Sequence, residues 1–365
     1  GGDSGIVLAL HFGPWPSRLS SPKPDLRKPS SQTDKDPGAG MEAQRLMTKS
    51  ANDLHRPVML ERTIDLLRPA IEGKKATVVD CTLGLGGHTE SLLSLFPELT
   101  VVGIDRDDAA LEIASERLKE FGSRFVPAAA IYDELAEVLA MLEIESVEGI
   151  LMDLGVSSMQ LDEPERGFSY AQDAPLDMRM NQGSGKKAAD LLASLDHGQL
   201  ARIFRDYGEE RFASQVAREI VNTRDEAPIV SSAQLNEILE RSIPQAPGKA
   251  SSHPGKRVYQ ALRIAVNDEL QTLERAMPQA IDALSVGGRL VVMSYHSLED
   301  GIVKKALQLA ATSSTPIEMP VELPGTSPRL KILTKGVERA TEIELHQNPR
   351  AQSARLRAAE KLEVR

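Results

Sequence analysis

The chain has 365 residues, of which 41% are hydrophobic and 26% charged, and its formal net charge is −10, with 43 Lys and Arg against 53 Asp and Glu. This is enough apolar material for roughly two domains of ~150 residues, and it excludes collagen-like, globally disordered and membrane-spanning classes, since no apolar run approaches the ~18–20 residues of a membrane helix. The acidic balance excludes a protein that coats bare nucleic acid with its whole surface, but not a local basic site.

Residues 1–50 hold 19 Gly, Pro or Ser and no sustained apolar period, so they read as a flexible tail. The single cysteine, Cys81, cannot form an intrachain disulfide, and no basic-then-apolar leader precedes the regular part; a cytoplasmic location is expected. Ala76–Asp80 is a short β-branched run, followed by a glycine cluster and a helical stretch from His88 to Phe96. Leu99–Ile104 reads as a second strand ending in Asp105, and Asp108–Phe121 has Leu111, Ala114 and Leu118 at helical spacing. A third strand over Arg124–Ala128, a helix over Glu134–Leu142 and a fourth strand over Val147–Met152, ending at Asp153, complete the alternation. Strands and helices in this rhythm imply a mostly parallel sheet covered on both faces.

The rhythm stops near Gln160. Up to about Arg263 the sequence reads as turns and amphipathic helices (Ala188–Leu195, Gln199–Tyr207, Ala213–Asn222, Ser232–Ser242). Val258–Leu284 then reads as one long helix with Leu262, Ala265, Val266, Leu273, Met277 and Ile281 on one stripe, ended by Gly287-Gly288. Arg289–Ser294 resumes the strands, and Leu330–Thr334 and Ser353–Ala359 complete the sheet. The expected organisation is therefore a tail over 1–50, an α/β Rossmann-like core over 51–159 and 264–365, and an inserted helical domain over 160–263.

The sharpest local feature is Val79-Asp-Cys-Thr-Leu-Gly84-Leu-Gly86-Gly87-His88, a strand feeding glycines that open a helix, where backbone can approach a ligand closely. Asp105 closes the next strand nineteen residues beyond Gly86, a spacing that places a carboxylate on the hydroxyls of a ribose. Two nucleoside cofactors fit. A dinucleotide would want a third glycine where Thr89 stands, and would bring its pyrophosphate close to Asp80. S-adenosylmethionine has no phosphate and carries positive charge, so Asp80 would help it. A tight turn with no ligand is the plain alternative, and the Asp105 spacing weighs against it. Asp153 lies at the carboxyl edge beside the topological switch point, where a turn or capping role competes with function. Tyr132, after the third strand, can pack on an adenine or serve as a core aromatic. No Cys/His cluster has metal-ligand spacing, so no metal is expected.

An ordered series of motifs then comes into view: Asp80-Cys-Thr-Leu-Gly-Leu-Gly-Gly-His88, Gly103-Ile-Asp-Arg-Asp107, Met152-Asp-Leu-Gly-Val-Ser-Ser158, Glu165-Arg-Gly-Phe-Ser169, Pro175-Leu-Asp-Met-Arg179, Tyr207-Gly-Glu-Glu-Arg211 and Ser294-Tyr-His-Ser-Leu-Glu-Asp300. The series resembles the RsmH (MraW) family of 16S ribosomal RNA cytosine-N4 methyltransferases, from His55 to about Lys361. The resemblance implies a class I S-adenosylmethionine-dependent methyltransferase with an inserted helical domain for substrate recognition. Its substrate would be a cytosine in the decoding region of 16S rRNA within the small (30S) ribosomal subunit, with no DNA or membrane partner. Carried over by position, the cofactor contacts would be Gly86, Gly87, His88, Asp105, Tyr132, Asp153 and Gln160. Tyr132 stands where Phe is frequent in the family, and Met159 where Pro is common.

Asp153-Leu-Gly-Val replaces the Asp/Asn-Pro-Pro-Tyr/Phe signature of many amino-methyltransferases, so Asp153 is the expected catalytic acceptor for the N4 hydrogens, with the proton itself passing to solvent or to a neighbouring group. His296 could orient substrate or be structural. Arg241, Lys249, Lys256, Arg257 and Arg263 form a run without carboxylates, a candidate phosphate contact. Phe168 and Tyr170 could stack an everted base or pack the insert, and Arg166 and Arg179 could fix the inserted motifs by ion pairing. Two other readings compete: a ribosome-assembly factor with a vestigial cofactor pocket, and a nicotinamide-dependent reductase, which Thr89 disfavours.

Overall fold

The computed structural model describes residues 56–244, 253–316, 319, 323 and 325–363. The expected tail over 1–50 and Lys249 lie outside them. The first half alternates: α1 (Leu60–Ile71), β1 (Ala76–Asp80), α2 (Gly87–Leu95), β2 (Leu99–Asp105), α3 (Asp108–Arg117), β3 (Phe125–Ala129), α4 (Leu135–Met141) and β4 (Val147–Asp153). Seven α-helices follow among the described residues: α5 (Ser158–Asp162), α6 (Ala188–Ser194), α7 (His197–Asp206), α8 (Ala213–Glu226), α9 (Ser232–Ser242), α10 (Lys256–Asn267) and α11 (Glu269–Ala283). The chain then returns to the sheet through β5 (Leu284–Ser294), α12 (Ser297–Ala310), β6 (Leu330–Ile332), α13 (Glu342–Gln347) and β7 (Arg355–Lys361).

The seven strands lie in the order β3-β2-β1-β4-β5-β7-β6. β1 to β5 are parallel, and β7 runs antiparallel between β5 and β6. Val78, Val101, Leu151 and Val291 point into one core, under α1, α2 and α3. Their neighbours Val79, Val102, Ile150 and Val292 point into the other, under α4, α11 and α12. The two-residue period of a strand sends successive side chains to opposite faces, and both are buried here, which is why these runs are continuously apolar. Strand order reverses between β1 and β4, opening a crevice at the carboxyl ends.

The helical stretch between β4 and β5 has its own core, including Phe168, Leu176, Phe204, Ile220, Leu235 and Leu262. It is tied to the sheet by polar groups. Buried Arg166 donates to Asp107 Oδ2 at 2.6 Å, just past β2, and to the Met180 carbonyl at 2.8 Å. Arg179 forms a two-point pair with Asp177, 2.8 Å at each oxygen. Both arginines therefore do fix inserted motifs by ion pairing.

Three expectations about elements are corrected. Val258–Leu284 is two helices: Asp268 adopts a left-handed φ of 54° and separates α10 from α11. Next to it, the Asn267 side chain accepts from Met180 N–H at 2.8 Å and donates to the Met178 carbonyl at 2.7 Å, anchoring the insert at the break. The single apolar stripe serves two cores: Val258 and Leu262 face the insert, while Leu273, Met277 and Ile281 face the sheet. Gly287-Gly288 does not end a helix, because β5 already starts at Leu284. The glycines lie at a register shift against β4, with Gly287 at φ 80° in a bulge. The last strand is displaced to Arg355–Lys361, after a 3-10 turn over Pro349–Ser353.

Candidate active site

A cavity of about 470 Å3 opens at the carboxyl ends of β1, β2 and β4. Its volume suits a small molecule. Gly87, His88, Asp105, Tyr132, Asp153 and Gln160 line it, and it continues towards the insert past Phe168, Tyr170, Lys256 and Tyr259. Of the expected cofactor residues only Gly86 stays out of the lining.

The glycine turn is fixed from β2. Asp105 accepts from Gly84 N–H at 2.8 Å through Oδ2 and from Asp107 N–H at 2.9 Å through Oδ1, which clamps the carboxylate at the cavity wall. Burial pushes its pKa up to about 6, so it is ionised at neutral pH. Each oxygen has lone-pair capacity beyond these bonds, as a vicinal diol requires. Gly86 acts through its backbone. At φ 78° it is the N-cap of α2, and a Cβ there would lie 3.0 Å from Leu118 Cδ1. A Cβ on Gly87 would lie 2.7 Å from Pro57 Cγ, so that lining is bare backbone by necessity.

Asp80 is not beside the cavity, contrary to expectation. It is buried behind the turn, where Oδ2 accepts the Thr89 hydroxyl at 2.8 Å and Oδ1 accepts Thr82 N–H at 3.2 Å. Thr89 thus has a defined partner at the position where a dinucleotide fingerprint has its third glycine. A glycine there would leave a buried carboxylate short of a donor.

His88 is buried, with Nε2 3.0 Å from the Val58 carbonyl. Burial lowers its pKa, so the ring is neutral and its proton sits on Nε2 to make that bond. Nδ1 is then an acceptor, 4.0 Å from Asp153 Oδ2. Two acceptors sharing one stretch of wall suit a group carrying at least two N–H donors. Asp153 itself donates its backbone N–H to Thr82 Oγ1 at 2.6 Å and accepts the Tyr295 hydroxyl on Oδ1 at 2.7 Å. Burial pushes its carboxyl up to about 7; the Tyr295 hydrogen bond opposes this shift and the Glu299 charge adds to it.

Gln160 supports the wall from below. It forms a capping box with Ser157 at the start of α5, and its Nε2 donates to Asp107 Oδ2 at 3.0 Å, the oxygen that also receives Arg166. Tyr132 lies in a 3-10 turn after β3, with its ring on the cavity and its hydroxyl 3.5 Å from the Glu269 carbonyl. Phe168 and Tyr170 line the cavity and also pack the insert; Tyr170 stacks on His253 at 4.5 Å. His296 caps α12, with Nε2 3.1 Å from Glu299 Oε1, a structural placement. Arg263 is held by Glu269 at 2.9 and 3.1 Å and is committed within the fold, whereas Arg257 gives one N–H to the Glu209 carbonyl at 2.9 Å and stays exposed, as do Arg241 and Lys256. Sequence reasoning passed over Tyr295. It sits one residue before His296 and just past β5, where the rule that ligands gather at strand ends covers it equally well.

The sheet order, with an antiparallel β7 between β5 and β6, and the glycine turn beside a cavity at the strand ends are those of the class I S-adenosylmethionine-dependent methyltransferase fold. A family model described as the MraW methylase family matches residues 52–362, and the chain belongs to that family. It is 54% identical over 313 residues to a Saccharopolyspora erythraea protein named ribosomal RNA small subunit methyltransferase H, covering 86% of this chain and 95% of that one. A protein of the same name from Pseudarthrobacter chlorophenolicus is 52% identical over 322 residues, 87% of this chain and 98% of that one. Among solved structures, a putative rRNA-methylase from Clostridium thermocellum has 13% identity and a TM-score of 0.40 over 85% of this chain and 100% of that one.

Proposed function

We propose that this protein transfers a methyl group from S-adenosylmethionine to the exocyclic N4 of a cytosine in the decoding region of 16S rRNA, within the small ribosomal subunit. Gly87, His88, Asp105, Tyr132 and Gln160 would hold the cofactor, and Asp153 would serve both cofactor and acceptor. When bound, the cofactor supplies a methyl group activated by a sulfonium centre. The names of the relatives support ribosomal RNA as the substrate class.

The observation that carries the cytosine assignment is Asp153. It is a carboxylate at the end of β4 with one oxygen anchored by Tyr295 and the other directed at no hydrogen-bond donor among the described residues. An exocyclic amine conjugated to a ring is a poor nucleophile until its lone pair is freed, and a fixed acceptor for its hydrogens promotes that change. An amine that accepts a methyl group must shed one proton to end neutral. Asp153 Oδ2 takes it, a role suited to a carboxyl pushed up to about 7. The helices between β4 and β5 would recognise the RNA, with Lys256, Phe168 and Tyr170 closing the outer part of the cavity.

The test is transfer of labelled methyl to small subunits by wild type and by Asp153→Ala. The variant is expected to fold and to lose transfer by about a hundredfold or more. Near-normal turnover would sink the assignment.

A further inference from the structure

We propose that Tyr295 is a positioning residue of the transfer reaction: its hydroxyl, donating to Asp153 Oδ1, fixes the carboxylate so that Oδ2 is the oxygen offered to the acceptor amine. The inference rests on the reading of Asp153 as that acceptor and goes beyond it, since it identifies the group that sets the acceptor's orientation and proton affinity.

The geometry is specific. Tyr295 follows β5 and Asp153 ends the adjacent parallel strand β4, so the 2.7 Å bond bridges two neighbouring strand ends at the cavity. Tyr295 is itself held from both sides. Its backbone N–H donates to Glu299 Oε2 at 2.8 Å, and its side chain packs against the core under α1, α2 and α3. With the phenol on Oδ1 and Thr82 taking the Asp153 backbone N–H, the remaining oxygen faces His88 across 4.0 Å.

The charged and titratable groups around Asp153 sharpen what the phenol does. His88 on α2 is neutral, because burial lowers its pKa. Asp80, at the end of β1, is pushed up by burial and further by the Asp153 charge. Glu299 on α12 repels a charge on Asp153, while the Tyr295 hydrogen bond favours that charge. Of these groups, Tyr295 is the one that touches the carboxylate and stabilises its ionised form. The phenol keeps its own proton throughout, because burial and the neighbouring Asp153 raise its pKa well above the usual phenol value. It is a permanent donor and not a relay.

Acceptance of the N4 hydrogens needs ionised Asp153, so kcat/KM falls on the acid side as pH drops through the carboxyl pKa. Losing a hydrogen bond to the charged form raises that pKa. Tyr295→Phe keeps the ring and removes the donor, so the acid limb should move up by about one pH unit. The loss in kcat/KM is then roughly fivefold at pH 7 and shrinks to under twofold at pH 9. A ring-fluorinated tyrosine in place of Tyr295 is a stronger donor of nearly the same shape, and it should move the limb below the wild-type position.

The experiment is the kcat/KM profile for small subunits between pH 6 and 9 for wild type, Tyr295→Phe and the fluorinated form, with S-adenosylmethionine affinity measured by calorimetry at each end. Opposite displacements of the acid limb by the two replacements support the proposal. An unmoved limb, or a loss equal at every pH, overturns it in favour of a purely structural tyrosine. Asp153→Asn separates the two levels: if it retains transfer, the acceptor reading itself fails. If it is inactive while the Tyr295 forms leave the limb in place, the positioning role alone is lost.

Discussion

Asp105 and Asp153 end strands on either side of β1, and burial raises both carboxyls, to about 6 and about 7. Their surroundings divide the work. Two backbone N–H groups clamp Asp105, which makes it a rigid acceptor, as the proposed contact with the cofactor's diol requires. Asp105→Asn keeps the shape but loses the charge, and we expect the dissociation constant for S-adenosylmethionine to rise about tenfold or more in calorimetry. Asp153, with one tyrosine donor, is left near neutrality. A carboxyl with a raised folded-state pKa keeps its proton in the folded chain after the unfolded chain has released it. The folded state therefore loses stability as pH rises from the unfolded value of about 4 to the folded value of about 7. Asp153→Asn removes that loss, so its stability relative to wild type should grow between about pH 5 and pH 8 in urea melts. A constant difference would mean that the carboxyl is not buried as described. Spacing and strand ends exposed Asp105 and Asp153 in the sequence. The Tyr295–Asp153 bond crosses 142 residues, and no local pattern carries it.

The elements around the site were legible where one physical rule acted alone. β-branched runs closed by Asp80, Asp105 and Asp153 mark β1, β2 and β4, because strands buried on both faces must be apolar throughout and can turn polar only at their ends. The break at Asp268 was not legible, since Leu262, Val266, Leu273 and Met277 continue one helical period across it. What divides the helix is tertiary: Asn267 bonds to Met178 and Met180, 89 and 87 residues away. The same principle governs Arg166, which joins the insert to the end of β2 through Asp107 with both side chains 5% exposed. Arg166→Met would leave Asp107 buried without its cation, at a cost of about 3–5 kcal/mol. Urea denaturation should register this loss, and adding Asp107→Asn should recover part of it. A loss below 1 kcal/mol would place the junction elsewhere.

At the scale of the whole molecule, the sheet supplies one wall of a cavity and the stretch between β4 and β5 supplies the other, so in the proposed function cofactor and acceptor would meet where the two cores join. The net charge of −10 was legible from the first count, and the structure narrows its meaning. Arg263 is committed to Glu269, and the exposed cations of the expected run among the described residues are Arg241, Lys256 and Arg257, a small patch on an acidic chain. Affinity for naked RNA should accordingly be weak, and the assembled particle should be the better substrate. Rates on purified 16S rRNA and on small subunits compare the two directly. The central claim is tested by incubating the protein with methyl-labelled S-adenosylmethionine and small subunits, then identifying the modified nucleoside by mass spectrometry. We expect label on the N4 of a single cytosine in the decoding region; label on ring carbon or on another base, or none at all, would refute cytosine-N4 transfer.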